Sequence, residues 1–222
     1  MKERRAVSSE PVRRIVASPS SPPRAAAVRA LRLLLGLALV CLGGAACIER
    51  APTPASKRAR FDRAPVRELL LKDLPATALH VGAIFGEAVE LSAIDYFPRR
   101  PSAGDTVEVT FFWRVQRPPE VNYKVFVHGE ARGAEGRINA DHWPAERRYG
   151  TDVWQAGELV RDRFSLKIPR GFEGDGVNLW TGFYRPQQAE VRWSLTAVGA
   201  GATDGKNRLR VATIPVVERR GR

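Results

Sequence analysis

Thr106–Val115 reads TVEVTFFWRV, and its alternation decides the fold class. Successive side chains on an extended strand point to opposite faces. Val107, Val109, Phe111 and Trp113 therefore share one face, while Glu108, Thr110 and Arg114 share the other. Phe112 falls on the polar side and breaks the pattern. A period of two belongs to a half-buried β-strand, whereas an amphipathic helix needs 3.6.

The same kind of run recurs on both sides. Leu79–Phe85 leads through a glycine into Glu87–Phe97 (EAVELSAIDYF), and Arg99–Asp105 (RRPSAGD) has Pro and Gly where a turn needs them. Downstream come Tyr123–His128, Leu159–Ile168, Val177–Tyr184, Val191–Ala197 and Leu209–Val217. In Leu159–Ile168 one face carries Val160, Asp162, Phe164, Leu166 and Ile168. About eight strands at this spacing, with no long amphipathic helix between them, predict an all-β domain built as an antiparallel, immunoglobulin-like β-sandwich. Parallel strands would need crossover helices. The domain is expected over residues 67–217, opening with one or two helical turns in Arg67–Leu74 before Pro75.

The N-terminal part has a different character. Leu33–Ala46 (LLLGLALVCLGGAA) is free of charge, follows Arg29 and Arg32, and ends in small residues before Cys47. Fourteen apolar residues suit a signal peptide and fall short of a bilayer of about 30 Å. The arrangement resembles the lipobox of bacterial lipoproteins, in which a cysteine after small residues takes diacylglycerol before cleavage. Gly44 stands where that motif usually has Leu. Ala45 and Ala46 fit the peptidase pocket, whereas bulky Val40 disfavours Cys41. The resemblance implies that residues 1–46 form a signal segment and that Cys47 is the lipid attachment site. Cleavage there leaves one thiol and no intramolecular disulfide. Triacylation anchors firmly where a single chain holds only marginally. Ile48 after the cysteine, rather than Asp, points to the outer membrane of a Gram-negative cell, facing the periplasm or the exterior. An ordinary secretory signal or an uncleaved anchor are the alternatives.

Residues 1–27, rich in Pro, Ser and Arg, exceed a normal signal's charged region. They read as an extension of the gene model, with a GTG start at Val28, and are expected to lack a fold. The Arg13–Arg14 pair lies far from the apolar run for a twin-arginine signal. Residues 47–66 (CIERAPTPASKRARFDRAPV) mix Pro, Ala and basic residues without periodicity and read as a lipid-anchored flexible linker. Residues 218–222 form a basic tail.

The chain of 222 residues carries a formal charge of +12, which invites a nucleic-acid reading. Its distribution argues against one. Residues 1–46 hold eight Lys/Arg against two acids, whereas 64–217 hold 20 basic and 19 acidic residues. A nucleic-acid surface needs the excess on a folded face, and here it sits on the ends.

Several ordered motifs then suggest a family. The run VELSAIDYFPRRPSAGDTVEVTFFWRV, the strand end VFVHGE, Trp154-Gln-Ala-Gly-Glu158-Leu-Val160-Arg-Asp162, LWTGFYRP and NRLRVATIPV resemble a bacterial immunoglobulin-like β-sandwich module. That module occurs as an extracytoplasmic appendage of polytopic membrane glycosyltransferases of the dolichyl-phosphate-mannose type. The likeness covers about residues 79–217. The chain lacks the multi-span hydrophobic region of those enzymes, so the resemblance implies the sandwich and not glycosyl transfer.

Candidate chemistry is sparse. His80, His128 and His142 show neither H-x-H nor H-x-x-x-H spacing, and Asp141 and His142, as strand neighbours, point apart. No metal and no cofactor is expected. His128, at a strand end, suits a hydrogen bond to Asp141 or Asp162 that pins a loop. No G-x-S-x-G elbow or phosphate-binding G-x-x-x-x-G-K-[ST] occurs. Glu158 and Asp162 are expected to cap the turn after Trp154, itself a core residue, and Trp113, Trp180 and Trp193 to pack within strands. Trp143, Tyr149, Asn139, Asp141 and Arg148 lie on the irregular stretch 132–157, where aromatic faces with polar neighbours can form a glycan-contacting surface. The expectation is a non-catalytic, lipid-anchored envelope protein that binds a glycan or a protein partner. A structural subunit without its own ligand, and an envelope hydrolase using Glu158, Asp162 or His128, are the alternatives.

Overall fold

The computed structural model describes residues 51–218, so the expected signal segment 1–46, the expected lipid site Cys47 and residues 219–222 lie outside the described residues. Along the chain, helix α1 (Pro54–Arg60) and a 3-10 turn (Ala64–Leu69) precede β1 (Leu70–Leu71), β2 (Leu79–Phe85), β3 (Val89–Phe97) and β4 (Thr106–Val115). Then come β5 (Lys124–Arg132), β6 (Arg137–Asn139), two single 3-10 turns (Ala145–Arg147 and Thr151–Val153) and β7 (Leu159–Lys167). β8 (Gly176–Arg185), β9 (Gln188–Arg192), β10 (Leu195–Ala197), β11 (Ala202–Thr203) and β12 (Leu209–Pro215) complete the domain.

The strands form two antiparallel sheets, ordered β1-β7-β4-β3-β2-β10 and β11-β12-β8-β5-β6, with β9 added to β8. The fold is an all-β sandwich. Val107, Val109, Phe111 and Trp113 of β4 are completely buried and face Val125, Val127, Leu179 and Phe183 of the other sheet within one continuous core. The sheets lock through aromatic edges. Phe183 lies 4.7 Å from the Trp113 ring and 5.4 Å from Phe85, and Phe111 packs edge-on against both Trp113 and Phe164.

Phe112, out of register in the sequence, is nonetheless buried. It makes a second small cluster with Ala93 and Leu159 on the outer face of the first sheet, roofed by Leu71, Leu74 and Ala78. The segment expected to be helical, Arg67–Leu74, instead finishes the 3-10 turn and pairs through β1 with Leu159 and Val160. The pairing delivers that roof. On the outer face of the second sheet, Arg192 covers the Phe126 ring at 4.8 Å and Arg208 covers Trp180 at 4.1 Å. The guanidinium groups themselves cover the rings, that of Arg208 held by Glu130 and Asp204 and that of Arg192 by the Lys206 carbonyl.

The expected strand Val191–Ala197 is two strands. β9 belongs to the second sheet and β10 to the first, so the chain changes sheets at Trp193. The Trp193 ring stacks on Tyr123 at 4.4 Å and 4°. It can do so because Gly86, at φ 57°, has no Cβ; one built there would lie 2.0 Å from the indole.

The linker needs correction. From Thr53 onward it is built onto the domain. Thr53 caps α1 by accepting from the Ser56 N–H, Pro54 occupies the first turn, and Lys57, Arg58 and Arg60 fall in the last turn, where the helix dipole favours cations. Phe61 packs 5.2 Å from the Tyr149 ring, and Val66 and Leu69 enter the core. Arg63 donates to the carbonyls of Val153, Phe61 and Arg58 and to the Glu158 carboxylate. A composition suited to a tether becomes a clasp, because each of these polar contacts reaches a specific carbonyl or carboxylate.

Candidate functional site

One end of the sandwich gathers the irregular segments. The end of β4, the start of β5, the start of β7 and the end of β8 meet there, as the β4–β7 and β5–β8 registers require. The loop 140–158 crosses this end and the clasp grips it. Lys57 pairs with Asp152 at 3.1 Å, and Arg58 donates to the carbonyls of Pro119 and Asp152.

Asp162 organises the loop from below. It is fully buried in the middle of β7, on the face that alternation gives it, between Val160 and Phe164. Its carboxylate accepts from the Trp113 indole N–H at 3.0 Å, from His142 Nε2 at 3.1 Å and from the Ala145 backbone N–H at 2.8 Å. A buried charge needs such a full set of donors. The expectation that Asp162 caps the turn after Trp154 is therefore corrected: the next loop residue it holds is Ala145. His142 Nδ1 lies 2.9 Å from the Ala140 carbonyl, so both ring nitrogens face acceptors, as an imidazolium requires. Burial opposes charge on this ring. The Asp162 carboxylate, helped by the Ala140 carbonyl and Asp141, outweighs that and holds the His142 pKa above its usual value.

Beyond Trp143 and Pro144, the three residues Ala145, Glu146 and Arg147 are all left-handed, with φ of 52°, 58° and 64°. For non-glycine residues each such step costs about 1–2 kcal/mol. The Asp162 bond to Ala145, with Arg147 and Arg148 N–H groups donating to the Pro144 and Ala145 carbonyls, holds the strained turn. Strain retained in this way tends to mark functional segments.

Above the turn lies a surface hollow of about 300 Å³ lined by Asn122, Trp143, Pro144, Arg147 and Gly150. Lys124 Nζ sits 5.9 Å from the Trp143 ring and 5.8 Å from the Tyr184 ring, bridging two half-exposed aromatics. Asn122 is fixed: its Oδ1 accepts from the Thr151 N–H at 3.1 Å. A side chain at Gly150 would collide with that amide, with a Cβ 2.9 Å from both of its terminal atoms.

The other candidates lie elsewhere. Tyr149 is completely buried, with its hydroxyl donating to Glu158 at 2.6 Å, so it is no platform; Phe61 and Trp154 cover it. Burial and the Glu158 carboxylate raise its pKa further. Arg148 turns to the clasp, donating to the Pro65 carbonyl and pairing with Glu68 at 2.6 Å. Asp141 accepts from the Val127 N–H at 2.9 Å and lies 3.4 Å from His128 Nε2, which is also 2.6 Å from Arg137. Its partial burial works against ionisation, but His128, the Val127 N–H and Lys124 keep its carboxyl below the usual range. Asn139 is exposed on the short strand β6 and accepts from the Asp141 N–H. Trp154 is core, its indole donating to the Tyr149 carbonyl. Glu158 ties its own turn by accepting from the Gln155 N–H at 2.7 Å.

Of the five residues expected at a ligand surface, Trp143 alone lines the hollow. Asn122 and Arg147, which also line it, and Lys124, which lies beside the Trp143 ring, were not expected there. A signal for Asp162 did exist: a carboxylate on the apolar face of an alternating strand has to be partnered inside. Glu158, Asp162 and His128 have separate hydrogen-bond partners, and no three His, Cys, Asp or Glu among the described residues group to hold a metal. Comparison with protein-family models, curated proteins and solved structures finds no match to this chain.

Proposed function

We propose that the protein is a lipid-anchored component of the bacterial envelope whose sandwich binds glycan, without catalysis, at the Trp143 hollow. The observation that carries the glycan reading is the half-exposed Trp143 ring beside Pro144, with the Asn122 amide and Arg147 around it. An apolar ring face flanked by hydrogen-bonding groups matches the alternation of C–H faces and hydroxyls on a sugar. The lipobox-like run before Cys47 and the near-neutral charge of 64–217 support the anchored setting. So does the resemblance to extracytoplasmic modules of membrane glycosyltransferases. The non-catalytic reading is supported by the carboxylates themselves: those of Asp162 and Glu158 are occupied by internal donors.

The test compares residues 51–222 with a Trp143→Ala variant on a glycan array and in pull-down from envelope extracts. Glycan binding that the variant loses is the expected result. Equal, featureless binding by both would remove the glycan reading and leave a structural subunit.

A further inference from the structure

From the donors lining the hollow, and resting on the glycan reading, we infer that the sugar it takes is acidic, a uronate presenting its carboxylate to Arg147 and Lys124. A site for neutral sugars needs donors and acceptors together, because each hydroxyl does both. Here the side chains offer donors. Asn122 spends its Oδ1 on the Thr151 N–H, which leaves the amide N–H₂ as its free group. Arg147 is exposed, and neither it nor Lys124 takes part in an ion pair among the described residues.

Three nearby carboxylates have partners, with Asp152 Oδ1 left beside Gly150. Asp152 pairs with Lys57, Glu146 lies 3.6 Å from Arg163, and Asp141 is held by the Val127 N–H and His128. Arg147 lines the hollow and Lys124 lies just beyond the Trp143 ring, so this end of the domain presents cationic groups that complement an anion. The backbone presents Arg147 deliberately: it is the last residue of the left-handed turn that Asp162 holds in place. Trp143 supplies the stacking face and Lys124, held between Trp143 and Tyr184, the second charge. The ring would select a sugar, and the cations its carboxylate.

The experiment is calorimetric titration of residues 51–222 with oligosaccharides of glucuronate, galacturonate and mannuronate. Each is paired with its carboxyl-reduced counterpart, which keeps the ring and hydroxyls and loses the charge. Arg147→Gln and Lys124→Gln are titrated alongside, with thermal melts to confirm folding. Binding of an acidic sugar is expected to weaken by about tenfold or more on carboxyl reduction and in either variant, since a charge-assisted contact of this kind contributes that much. Equal binding of acidic and reduced forms would overturn the charge proposal and keep the glycan reading. Failure of every sugar in the panel to bind, by protein that melts normally, would overturn the proposal; failure on the full glycan array as well would remove the glycan reading with it.

Discussion

His142 and Asp162 face each other at 3.1 Å, with the Asp162 side chain wholly buried and the histidine's other nitrogen on the Ala140 carbonyl. The pair joins the site loop to the core, and Trp113 and Ala145 complete the carboxylate's coordination. Because the folded His142 pKa lies above its ordinary value of 6.5, folding gains from the protonated ring. That gain is fully present below about pH 6.5, where the unfolded histidine is also protonated, and disappears as pH rises through the folded value. Urea unfolding from about pH 5 to about pH 9 should show a loss of stability on the alkaline side that His142→Gln lacks. Parallel pH profiles for the two proteins would contradict the pairing.

Asp162→Asn is the harsher change. It leaves the indole N–H and the imidazolium competing for a neutral oxygen, and breaking a buried pair costs about 3–5 kcal/mol. A shift in the urea midpoint of that order is expected, and a shift under about 1 kcal/mol would count against the network.

The clasp offers a proteolytic readout. Arg63 reaches three carbonyls and Glu158, and Lys57, Arg58 and Arg60 lie just before it. Arg63→Ala should accelerate tryptic cleavage at those basic residues and lower stability by about 1–3 kcal/mol. If the native protein is cut there just as fast, the segment is a tether after all.

Much of this architecture was legible in the strands and little of it in the loops, for a physical reason. Alternation in β4 and β7 is a local property, so the sandwich follows from it. Phe112 looked anomalous because its cover, Leu71, Leu74 and Ala78, comes from a segment folded back over the sheet. Trp193 looked like a strand residue because nothing local marks a change of sheet. Residues 54–66 looked like a linker because Pro, Ala and Arg carry no period; their partners, such as Asp152, Val153 and Glu158, lie some ninety residues away. Tyr149 had the composition of a platform, and only the fold puts Phe61 on top of it. Lys124 entered the site through its cross-strand pairing with Tyr184, which no spacing foretells.

Gly86 tests the sheet crossover. Alanine there would combine a left-handed φ of 57° with a clash against the Trp193 indole. Gly86→Ala is expected to cost about 1–3 kcal/mol and to red-shift tryptophan emission as Trp193 leaves Tyr123. The same substitution in a Trp193→Phe background should leave emission unchanged; a red-shift there too would contradict the assignment to Trp193.

The proposed anchoring rests on the export-like run that ends at Cys47, so the mature N-terminus is the most direct measurement. Mass spectrometry of the protein from its native membrane fraction should find a chain beginning at Cys47 and carrying the mass of its acyl chains. A chain that begins elsewhere, or a Cys47 with a free thiol, would contradict the proposal at its base.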